Sequence, residues 1–164
     1  MNYIVIAIEA IVMITIFTAL VVGSLLRNPL WWIHDYPEDI QEEYFKSHER
    51  IPAKLTDKTV LAKKGIALLF AMVVFVGMAL IAGAYNFKSA FFATYIVWLA
   101  VDWYDCFFLD WVLFANMKRI RLEGTEHMDK AYHQKKYHFI RSLIGMVLGL
   151  LPCIIAGVIV MLIG

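Results

Sequence analysis

Asp102, Asp105 and Asp110 sit in the stretch AVDWYDCFFLDW, residues 100–111, inside an otherwise apolar run. A carboxylate within a bilayer costs on the order of a few kcal/mol or more unless it is protonated, hydrated, paired or bound to a cation. Three in nine residues therefore suggest a working site. At 100° per residue, with Asp102 at zero, Asp105 lies at about −60°, Cys106 at about +40° and Asp110 at about +80°. The aspartates thus share one face, roughly 140° wide. The chemistry such a face offers is proton or cation binding. Glu9, in the first apolar run, is a fourth acid for the same kind of site.

A second set of ligating side chains lies in EGTEHMDKAYHQKKYH, residues 123–138. If this begins a helix after Gly124, with Thr125 as N-cap, then Glu126, Asp129 and His133 fall at i, i+3 and i+7 on one face. Tyr137 extends that face, whereas His127 and His138 point elsewhere. Two carboxylates and an imidazole make a half-site for a divalent metal ion, the one cofactor class the sequence suggests. The plainer reading is a solvated helix face with Glu126 paired to Lys130.

D-x-x-D at Asp102 and Asp105 also allows Mg²⁺ to be held against a phosphate. The D-x-x-x-D that CDP-alcohol transferases add is absent, since the next residues read CFFLD.

The elements that position these groups follow from hydropathy. Of 164 residues, 62% are hydrophobic, and mean hydropathy is +0.69. A soluble domain sits nearer half apolar. The excess is gathered into four blocks, at about 3–26, 65–84, 89–116 and 139–163. Each is long enough to cross a hydrocarbon core of roughly 30 Å as a helix, and none alternates as a barrel strand does. The first block has no basic n-region and no A-x-A site, so it reads as a retained span. The expected fold is all-α: an integral membrane four-helix bundle, 1–164 forming a single transmembrane domain, with a cytoplasmic interfacial helix.

Orientation comes from Lys and Arg. Seven lie in 27–64 and seven in 117–141, against Lys88 alone in the short loop between the second and third spans. The positive-inside rule places loops 27–64 and 117–138 in the cytoplasm and both termini outside. A bacterial inner (cytoplasmic) membrane is the expected location. Rise per residue then puts Asp102 and Asp105 about 20 and 24 Å below the outer end of their span, Asp110 near 31 Å and Glu9 near 9 Å. No Lys or Arg lies in the core of a span; Arg27, Lys118, Arg119 and Arg141 are the nearest bases.

In the first loop, Trp31 and Trp32 suit the headgroup region. Pro37 opens a short helix on which Tyr36, Ile40 and Tyr44 form an apolar stripe. Its acidic face suits packing on the basic arm of 118–136, and 47–59 reads as extended and exposed. In the last span Gly145, Gly149, Cys153 and Gly157 recur every four residues, a stripe for close helix packing within the chain or between protomers. Pro152 lies beside it. Cys106 and Cys153 differ in expected depth by about 10 Å, too far for a disulfide.

The net charge of +1 and the lack of any nucleic-acid motif exclude nucleic acid as a partner class. The expected partners are the lipid bilayer and further copies of the chain, as a homo-oligomer. Three functions fit: a transporter-like or channel-like protein that binds protons or cations at an intramembrane carboxylate site, a membrane-embedded enzyme acting on a lipid or lipophilic substrate, and a non-catalytic assembly or regulatory subunit. Whether the chain is an enzyme stays open at this point.

Overall fold

Helix α1 (Tyr3–Arg27) begins where Asn2 Oδ1 accepts a hydrogen bond from the Ile4 amide at 3.0 Å, satisfying an amide at the helix start. The computed structural model describes the backbone of residues 1–51 and 58–163, and the side chains of 1–51 and 69–163. A 3₁₀ segment, Pro29–Asp35, follows, with Asn28 capping it and Pro29 at its first position. Next come α2 (Glu38–Tyr44), α3 (Lys58–Ile81), α4 (Phe87–Tyr104), α5 (Asp129–Tyr132) and α6 (Lys135–Ile163). No strand occurs among the described residues.

Local chemistry explains the breaks. α3 ends at Gly83, whose φ of +71° suits a residue without Cβ; the Ala84 amide reaches back to Ala79 O at 2.9 Å. α4 opens with a reciprocal cap in which Asn86 Oδ1 accepts from the Ser89 amide and Ser89 Oγ from the Asn86 amide. α4 then runs into a ten-residue π-helical stretch, Asp105–Phe114.

Contacts divide the chain into two units. The first comprises Met1–Ile14, Lys54–Asp102 and Ile144–Gly164. Its core is dominated by small side chains: Ala79, Ala82, Ala90, Ala93 and Ala156, with Phe75, Val97 and Val160. Small residues let helix backbones approach closely. The second unit comprises Thr15–Ala53 and Trp103–Leu143. Its core has fewer buried residues but larger and more aromatic side chains, built on Ile33, Tyr36, Ile40, Tyr44, Phe114, Ile120 and Tyr132.

The expected stripe Tyr36, Ile40 and Tyr44 is buried, with side-chain exposures of 1%, 0% and 7%. α2 does pack on the arm that follows the π-helical stretch: Tyr36 OH donates to Ile120 O at 2.8 Å, and Gln134 Nε2 to Asp39 at 2.8 Å.

Two helical stretches, Tyr3–Arg27 and Asp129–Ile163, are long and apolar enough to cross a membrane by length and composition. The four-span expectation is therefore met only in part. Among the described residues α3 offers the shorter apolar stretch Leu69–Ile81. In α4, Lys88, Asp102 and the Trp and Tyr side chains lower the hydropathy. The side chains of 65–68 and much of the stretch 47–59 lie outside the described residues.

A second correction concerns residues 123–138. They do not form one helix. Gly124, at φ +81°, turns the chain, α5 holds only four residues, and α6 starts at Lys135. Thr125 is no helix cap: its buried hydroxyl donates to Leu122 O and lies 2.7 Å from Tyr132 OH.

Candidate functional site

Asp105 and Asp110 both line a cavity of about 210 Å³ in the second unit. The π-helix accounts for this. An α-helix places residues five apart about 140° from each other, whereas an i→i+5 ladder has a wider turn that draws them toward one face. Such insertions recur at functional sites in helices. The 3₁₀ segment and α6 bring the opposite wall, with Asp35, Tyr36, His138 and Arg141.

These groups are paired across elements. His138 Nδ1 lies 3.0 Å from Asp110 Oδ2. The His138 side chain is 7% exposed and that of Asp110 26%. His138 Nε2 is buried with no hydrogen-bond partner. At a more exposed position, Arg141 Nη2 lies 3.3 Å from Asp35 Oδ1.

Charge in this lining is lopsided. Asp35, Asp105 and Asp110 share it with the single guanidinium of Arg141 and the imidazole of His138. Much of the remaining wall is aromatic, from Phe17, Trp32, Tyr36, Phe114 and Tyr137. Burial pushes the Tyr36 hydroxyl far above the ordinary tyrosine range, and neighbouring Tyr132 adds to the effect. Tyr36 stays neutral and serves as a strut.

The other expected site residues lie elsewhere. Asp102 belongs to the first unit. Its carboxylate lies against Gly145, where a Cβ would collide with it. Glu9 is also in the first unit, near the buried Ile6 and Ala10, and both of its carboxylate oxygens are buried without a hydrogen-bond partner. The four acids expected to act together are thus divided, with Asp105 and Asp110 lining the cavity.

Glu126, Asp129 and His133 share no helical face, because Glu126 precedes α5 and His133 ends it. The Asp129 carboxylate pairs with Arg121, whose Nη1 also donates to Glu126 O at 2.7 Å. His133 Nδ1 turns to Asp129 O at 2.7 Å. Among the described residues no three His, Cys, Asp or Glu side chains are grouped to hold a metal ion.

The small-residue stripe is occupied from within the chain. A Cβ on Gly149 would collide with the Trp98 indole, and one on Gly157 would come to 3.0 Å from the Phe87 ring. Trp98 Nε1 donates to Gly145 O at 3.1 Å, and Cys153 is fully buried. Trp31 is 61% exposed. Trp32 instead lines the cavity, its indole N–H donating to Ser24 Oγ at 2.8 Å. Neither Cys106 nor Cys153 forms a disulfide, and both are buried.

Sequence reasoning missed Asp35, Tyr36 and His138 as members of the site and held Arg141 only as an interfacial base. One signal was present. Tyr137, His138 and Arg141 cluster within one turn at the mouth of a long apolar run, where polar groups with no role would be out of place. Comparison with known protein families, characterised proteins and solved structures finds no match for this chain.

Proposed function

We propose that this chain is a small polytopic membrane protein, transporter-like or channel-like, that binds protons or cations at the cavity holding Asp105 and Asp110. The observation that carries the reading is the gathering of Asp35, Asp105, Asp110, His138 and Arg141 on one cavity, with acids in excess. Two carboxylates and an imidazole lining one cavity are suited to taking up and releasing a proton or small cation.

Four spans, at about 3–26, 65–84, 89–116 and 139–163, belong to this proposal. Its support is that all four long helices expose large apolar side chains, among them Ile8 and Leu20 on α1, Leu69 and Val73 on α3, Phe92 and Ile96 on α4, and Val147 and Leu151 on α6. Apolar surface on this scale wants lipid or protein over it. The alanine-rich core of the first unit agrees, since helices in lipid associate through small residues. Loops 27–64 and 117–138 in the cytoplasm, termini outside, a bacterial inner membrane and a homo-oligomer complete the proposal, the orientation resting on the basic residues.

The test is the stability of purified protein in mild detergent against pH and a panel of mono- and divalent cations. A ligand that binds only the folded state raises stability by mass action. Protons or a cation stabilise the wild type, and Asp105→Asn loses that response. If both proteins respond alike, the cavity is no such site.

A second reading has one observation in its favour. A carboxylate 3.0 Å from a histidine's Nδ1, with Nε2 unbonded, resembles arrangements used in general acid–base catalysis. It suits a membrane-embedded enzyme on a lipid or lipophilic substrate. Lipid turnover by the wild type, abolished in His138→Gln, would favour it.

A further inference from the structure

We infer that the ligand of this cavity is a small organic ammonium cation, its charge held by Asp105 and Asp110 and its alkyl groups by the aromatic wall. The inference rests on the proton and cation reading above and narrows it to a ligand class.

Size is the first argument. A volume of about 210 Å³ is far more than a bare inorganic ion fills; it is roughly that of seven waters at ~30 Å³ each. The wall is the second. Trp32, Tyr36 and Tyr137 all line the cavity, and the polar end of each is already spent. The Trp32 indole N–H goes to Ser24 Oγ at 2.8 Å, the Tyr36 hydroxyl to Ile120 O at 2.8 Å and the Tyr137 hydroxyl to Tyr36 O at 3.2 Å. What remains for a ligand is the ring surface of the half-buried Trp32 and Phe17; Tyr36 and Phe114 are almost wholly buried, and the Arg141 guanidinium already lies over the Tyr137 ring at 5.8 Å. Ring faces attract cations, and N-alkyl groups shed water onto them at little cost.

Charge is the third. Three carboxylates against one guanidinium repel an anion, and that guanidinium is already bonded to Asp35. A strongly hydrated metal ion would answer the carboxylates and leave the aromatic wall unused. A substituted ammonium uses both. Finally, His138 lines this cavity, is more than nine-tenths buried and leaves Nε2 without a hydrogen-bond partner. Only an ammonium that keeps an N–H could donate to that Nε2; tetramethylammonium and choline carry none. A soluble amine and the choline or ethanolamine head of a lipid both present the same ammonium group.

The experiment uses the full chain in a maltoside detergent, which carries no ammonium. Tetramethylammonium, choline, a short-chain phosphocholine lipid, Na⁺ and K⁺ are titrated at constant ionic strength, with thermal stability and tryptophan fluorescence as readouts. Tetramethylammonium is expected to bind at least about tenfold more tightly than Na⁺ or K⁺. Trp32→Leu is expected to lose that preference while its response to pH remains, and Asp105→Asn to lose both. Phe17→Leu, whose ring has no hydrogen bond to lose, replaces Trp32→Leu if the latter does not fold. Competition by the phosphocholine lipid points to a headgroup, and competition by choline alone to a soluble amine; both outcomes support the ammonium site. If inorganic cations or protons stabilise through Asp105 and tetramethylammonium binds no better than K⁺, this inference fails and the broader reading stands. If nothing in the panel acts through Asp105, both fail.

Discussion

Asp110 and His138 form a pair in the cavity lining. Their 3.0 Å contact lies between α6 and the π-helical stretch, and both side chains are mostly buried. A double-mutant cycle on Asp110→Asn and His138→Gln should give a coupling free energy of about 1–2 kcal/mol in denaturant unfolding, as expected for a partly exposed bond to a carboxylate. Additive single effects would mean that the pair contributes nothing. Tyr36 gives a pH prediction. Its folded-state proton is held well above the ordinary value of about 10, so between that value and the folded pKa the unfolded chain binds fewer protons than the native one. This stability is fully present below about pH 10 and is lost as pH rises further. Alkaline unfolding of Tyr36→Phe should therefore depend less steeply on pH than that of the wild type, as a pH series of urea midpoints would show. At this scale the sequence disclosed Asp105 and Asp110, because an acid in an apolar run stands out. It hid Asp35 and His138. Asp35 meets Arg141 across 106 positions, and His138 was phased on a helix that does not run continuously from Thr125.

The elements were legible where periodicity alone decided them. The Tyr36, Ile40 and Tyr44 stripe needed only the four-residue spacing and Pro37, and the structure buries it as that spacing requires. The π-helix was not legible, since a fixed 100° per residue cannot report a change of hydrogen-bond ladder. The glycine stripe showed that something must come close, without saying what. In the structure, Trp98 and Phe87 of α4 fill the notches. Gly149→Ala places a methyl group against a rigid indole and should cost about 1–3 kcal/mol, as overpacking does. At Gly23 and Gly77 a methyl group would enter open space, so alanine there should be neutral or stabilising by about 0.5–1 kcal/mol. Thermal midpoints in one detergent compare the three. A Gly149→Ala variant as stable as Gly77→Ala would refute the notch.

For the whole molecule, composition pointed to a chain that exposes apolar surface, and the long runs of exposed Ile, Leu, Val and Phe accord with that. It did not disclose the division into two units, because the division falls within continuous apolar helices rather than at a linker: α1 contributes residues to both. Nor did it disclose that the acids are split between them, since membrane depth was the one coordinate available and depth does not report neighbours. Movement or binding of a cation by the cavity acids is open to direct measurement. The measurement that tests it most directly is flux in proteoliposomes loaded with a pH-sensitive dye, under an imposed proton or potassium gradient, for the wild type and for Asp105→Asn with Asp110→Asn. With both proteins folded by their thermal midpoints, the wild type should dissipate one of the gradients and the double variant should match protein-free vesicles. Equal rates for the two proteins would contradict the claim.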